Sequence, residues 1–152
     1  MTARHRLSTI GYELATPDRF VATLLAAGVE VLVDVRAVAS SRRPGFAKTR
    51  LAASVEQEGI QYLHLRGLGT PAEGRAAAKA GRPAEMLHIF REHLETPEAI
   101  ADLARLEELV RSGRHSCILC LEADPTHCHR SEVAAVLSAR LPLRVEHLDP
   151  SG

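Results

Sequence analysis

Aromatic residues make up 3% of this 152-residue chain, and tryptophan is absent. The core therefore has to be built from Leu, Val, Ile and Ala. Positive charge is nearly all arginine, with lysine only at Lys48 and Lys79. Lys plus Arg number 19 and Asp plus Glu also 19, so there is no net charge to hold the protein to nucleic acid over a broad surface. A local basic pocket stays possible, because arginine holds oxyanions through two parallel hydrogen bonds. Long apolar runs are missing too: nothing approaches the roughly 20 residues of a membrane span. Cysteine is sparse and odd in number, at Cys117, Cys120 and Cys128. With no signal peptide visible, that points to a reducing cytoplasm.

Hydrophobic content of 45% and charged content of 25% suit an ordinary globular protein. The length suggests one domain spanning residues 1–152. Short apolar stretches alternate with helical patterns. RLSTIGY (Arg6 to Tyr12), VEVLVDVRA, IQYLHLRGL, HSCILCLE and RVEHLD read as strands. Between them, Thr16-Pro17 starts a helix that Gly28 ends. Further helices are expected over Lys48 to Glu58, Ala84 to Leu94, Pro97 to Arg111 and Ser131 to Arg140. Ile100, Leu103, Leu106 and Val110 form the apolar stripe of the helix from Pro97 to Arg111. Thr70 to Pro83, rich in Gly, Ala and charge, reads as an irregular excursion. The alternation predicts a three-layer α/β fold, with a mostly parallel sheet of about five strands and helices on both faces. Ligands of such sheets sit beyond the carboxyl ends of the strands.

Three segments at strand ends carry chemistry. The first is VDVRAVASSRRPGF, which delivers Asp34 and Arg36 and then Ser40, Ser41, Arg42 and Arg43. Clustered arginines and hydroxyls suit phosphate, sulfate or carboxylate; the alternative is that Asp34 simply pairs with an arginine. The second is CLEADPTHCHR (Cys120 to Arg130). Cys120 and Glu122 share a strand face. Cys128, His129 and Arg130 start the next helix, where backbone N–H groups favour an anion or a thiolate. Cys128 is thus the leading nucleophile, with Cys120, Glu122 and His129 beside it. The third comprises His64 and Arg66 on strand three. Tyr12 and Glu13 are further candidate walls. His88 and His93, five apart on a helix, are expected at the surface. Gly67-x-Gly69 lacks the full dinucleotide or P-loop pattern.

TIGYE (Thr9 to Glu13), LVDVR, SRRPGF, GIQYLHLRGLG, LCLE and CHRSEVA occur in that order. Together they resemble the domain-of-unknown-function family numbered 488. The resemblance implies a single-domain, mostly bacterial or archaeal α/β protein without a settled activity. Its recurrent polar positions fall on Tyr12, Glu13, Asp34, Arg36, Ser41, Arg42, His64, Cys120, Glu122, Cys128, His129 and Arg130. Thr70 departs from the pattern, which has a second glycine after Leu68-Gly69. A looser likeness is to rhodanese-like sulfurtransferases, with Cys120 and Arg130-Ser131 in comparable places, although the loop between them is longer here.

Three functions fit these residues. In the first, an enzyme acts on an anionic substrate, phosphate-bearing and nucleotide- or nucleic-acid-like. Arg36, Arg42 and Arg130 hold the anion, aided by Tyr12, Glu13, Ser41 and His64. Cys128 or Cys120 attacks, and Glu122 or His129 handles protons. In the second, the same pocket binds a nucleotide or nucleic-acid end without reacting. In the third, Cys120, Glu122, Cys128 and His129 hold zinc or iron. The enzyme ranks first and the metalloprotein last, so no metal and no cofactor are assigned. Expected partners are a small anionic ligand or nucleotide, or nucleic acid through the local pocket, and no membrane.

Overall fold

The computed structural model describes residues 5–122 and 129–151. Five strands, β1 (His5–Gly11), β2 (Val31–Asp34), β3 (Gln61–His64), β4 (Ser116–Cys120) and β5 (Leu143–Leu148), form one sheet in the order β3-β2-β4-β1-β5. All four pairings are parallel. The helices are α1 (Pro17–Ala26), α2 (Lys48–Glu56), α3 (Ala72–Lys79), α4 (Pro83–His93), α5 (Pro97–Arg111) and α6 (His129–Ser138). None is long and apolar enough to cross a membrane among the described residues.

The central strands are apolar on both faces because both are covered. On one face Ile10, Leu32, Cys117 and Leu119 pack with Phe20 and Leu24 of α1 and Leu51 and Val55 of α2. On the other, Leu7, Val31, Val33 and Ile118 pack with Phe90 of α4, Leu103, Leu106 and Val110 of α5, and Val133 and Leu137 of α6. The expected three-layer α/β architecture is the one observed. Thr16 caps α1 through its hydroxyl, which accepts from Arg19 N, and Pro17 occupies the first turn.

The chain moves toward the β3 edge on the α1/α2 face and toward the β5 edge on the other. The helix that follows β4 therefore lies on one face of the sheet, and those that follow its neighbours β1 and β2 lie on the other. A crevice opens above Gly11, Asp34 and Cys120, which end adjacent strands.

Three local expectations change. The α5 stripe begins at Ala99, which is buried, while Ile100 is 54% exposed. Arg66 has left the strand for a 3-10 turn (Arg66–Leu68) and pairs with Glu98 at 3.6 Å. The stretch from Thr70 to Pro83 is not irregular, since it contains α3. This helix escapes a periodicity search because it is short, Ala- and Gly-rich, and packs chiefly on α4 rather than in either core.

Candidate functional site

Asp34 is completely buried at the end of β2. A bare carboxylate there would be costly, and the chain surrounds it with donors. Arg36 reaches back with Nε at 2.9 Å from Oδ1 and Nη2 at 2.7 Å from Oδ2. Tyr62, brought alongside by the β2–β3 register, donates its hydroxyl to Oδ2. Burial, with Asp34 as the next cause, pushes the Tyr62 phenol up. The other Arg36 nitrogen, Nη1, donates to the Phe46 carbonyl at 2.7 Å and to the Tyr12 hydroxyl at 3.3 Å. Tyr12 stacks on Phe46 with ring centroids 4.7 Å apart. Arg36 thus fastens the SRRPGF loop to the sheet, and its fork is directed at Asp34 rather than outward.

Nearby, His64 Nε2 bonds the Arg36 carbonyl at 2.8 Å. Gly69 lies so close to the Ala37 backbone that a Cβ would come 2.2 Å from its nitrogen. The glycines of the GLG stretch are therefore packing residues. Gly67 N donates to Asp102, and its carbonyl is met by His93 Nε2 at 2.7 Å. His93 is accordingly half-buried, not at the surface as its sequence suggests, while His88 is exposed and pairs with Glu92.

Across the crevice, Cys120 and Glu122 share a side as expected, with Sγ 3.6 Å from Oε2. Arg130, fully buried in the first turn of α6, donates from Nη1 to the Glu122 carbonyl and lies 3.1 Å from the Cys120 sulfur. Gly11 permits this approach: a Cβ there would meet the Glu122 carbonyl oxygen at 1.7 Å. The ring of His129 is pinned to the Val35 carbonyl by Nε2 at 2.9 Å and meets Phe90 edge-on. Burial pushes its pKa down to about 4, so at neutral pH it is an uncharged imidazole with the proton on Nε2. Cys120 is disulfide-bonded. Cys117 is buried in the core, which pushes its thiol up. Cys128, the leading nucleophile of the sequence reading, lies outside the described residues.

Between these walls is a cavity of about 540 Å³, within the roughly 300–1,000 Å³ of small-molecule sites. Of the residues singled out from sequence, Tyr12, Arg36, Ser40, Cys120, Glu122 and His129 line it. Glu13 and Arg42 are exposed outside it, and Ser41 accepts from Arg43 N instead. His64 and Arg130 support the walls from behind.

The wall that sequence reading missed is α3. Arg75, Ala78 and Lys79 line the cavity at i, i+3 and i+4, which places them on one helix face. Among the described residues neither Arg75 nor Lys79 makes an ion pair or side-chain hydrogen bond. The available signal was this spacing inside a Pro-bounded stretch. Gly74 hid the helix, and it is there because a Cβ would come 2.5 Å from Thr70 Cγ2.

No group of three or more His, Cys, Asp or Glu residues suited to a metal occurs among the described residues. The search of curated proteins and that of solved structures found no match. One family model, described as Domain of unknown function DUF488, matches residues 16–137, a span running from the N-cap of α1 to the last core leucine of α6. The chain therefore belongs to the DUF488 family.

Proposed function

We propose that the protein binds a phosphate-bearing anionic ligand in the crevice above β1, β2 and β4. The observation that carries this reading is the pair Arg75 and Lys79. Two cations one turn apart line a cavity of ligand size, and among the described residues neither is in an ion pair with a carboxylate. The position agrees with where open parallel sheets hold ligands, at the strand ends where successive connections diverge. Arg36 also lines the cavity, while its hydrogen bonds keep it with Asp34. The thiol-enzyme reading rests on Cys128, which lies outside the described residues.

Isothermal titration calorimetry with inorganic phosphate and ribose 5-phosphate tests the reading. The native protein is expected to bind ribose 5-phosphate, with affinity falling as salt rises. The Arg75→Ala/Lys79→Ala variant is expected to lose at least tenfold in affinity while keeping its urea midpoint, because surface positions without partners contribute little to stability. Equal affinity in native and variant proteins would remove α3 from the site and the proposal with it.

A further inference from the structure

Five large hydrophobic side chains are exposed among the described residues: Leu14, Leu25, Val38, Ile100 and Leu121. Scattered singly, such residues need no explanation. Three of them, however, lie in the loops that leave the carboxyl ends of β1, β2 and β4, the strands under the crevice. Val38 and Leu121, 56% and 42% exposed, line the cavity itself. Leu14 follows Glu13, whose backbone N–H donates to the Leu121 carbonyl at 2.8 Å, but it does not itself line the cavity. Inside the rim, Ala37, Ala78 and Met86 continue the apolar lining, and the hydroxyl residues Ser40 and Thr70 are set among them.

From this rim, resting on the anion-binding reading above, we infer that the ligand is a nucleoside monophosphate unit, its base covered by Val38 and Leu121 and its phosphate held by Arg75 and Lys79. A bare phosphate or sugar phosphate would leave the apolar rim in water. Burying it against a base removes apolar surface on both partners. A simple alkyl phosphate would cover the rim but make no use of Ser40 and Thr70. A base has an apolar face for the first and polar edges for the second. A free nucleotide and the end of a nucleic-acid strand present the same unit.

Calorimetry with four probes tests this: AMP, ribose 5-phosphate, hexyl phosphate and a 5′-phosphorylated dinucleotide. AMP is expected to bind at least tenfold more tightly than ribose 5-phosphate or hexyl phosphate. Val38→Ser/Leu121→Ser, both exposed positions, is expected to bring AMP to the level of ribose 5-phosphate and leave ribose 5-phosphate itself unchanged. Tighter binding of the dinucleotide than of AMP would identify a strand end as the source, and weaker binding a free nucleotide. If AMP binds no better than ribose 5-phosphate, or hexyl phosphate matches AMP, the base subsite is overturned while anion binding stands. If no probe binds at all, the anion-binding reading itself has failed.

Discussion

His129 shows how one residue's surroundings override its side-chain type. An imidazole beside an arginine at a helix start reads as an exposed, titrating group; here it is buried against Val35 and Phe90 and is uncharged at neutral pH. Its pKa is about 4 in the folded protein against 6.5 for an ordinary histidine. Below pH 6.5 the unfolded chain takes up a proton that the folded protein refuses. The stabilising effect is therefore fully present above pH 6.5 and is lost as pH falls through 4. Between pH 7 and pH 5 the expected loss from this one group is about 2 kcal/mol. Urea unfolding at the two pH values, for native protein and His129→Gln, measures it. The variant is expected to show a smaller fall, and an identical fall would mean that His129 is not held neutral. The sequence showed where His129 lies along the chain but not its burial, because Phe90, which covers it, is 39 positions away in a different helix.

At the scale of elements, the Asp34–Arg36–Tyr62 network joins β2, β3 and the SRRPGF loop. Arg36→Ala leaves a fully buried carboxylate without its charge partner, with an expected cost of about 3–5 kcal/mol. Tyr62→Phe removes one donor while Arg36 remains, with an expected cost of about 1–3 kcal/mol. Chemical denaturation of both variants checks the order; a tyrosine variant as unstable as the arginine one would show that Arg36 is not the main partner. Of the two sequence readings of VDVR, pairing describes Asp34 and Arg36 here. The strands and most helices were legible because burial on a face imposes a period on the sequence. Thr16-Pro17 and Thr96-Pro97 also mark helix starts by capping chemistry that needs no tertiary context. Helix α3 was not legible, because it covers a cavity rather than a core and so carries no apolar stripe.

For the whole molecule, the strand order decides what becomes a site. The residue types at the ends of β1, β2 and β4 could be read along the chain. Their meeting depends on β4 lying between β2 and β1, which follows from pairing and not from local sequence. That order sets Tyr12, Arg36, Cys120 and Glu122 around one opening and lets the long β3-to-β4 connection bring Arg75 and Lys79 over it. The central claim is that this opening holds an anionic ligand. Titration of ¹⁵N-labelled protein with ribose 5-phosphate, followed by amide shifts, tests it most directly. Saturable shifts are expected over Arg36 to Ser40, Thr70 to Lys79 and Cys120 to Glu122, with β5 and α5 unchanged. Shifts that are absent, or confined to surfaces away from these three segments, would contradict the account.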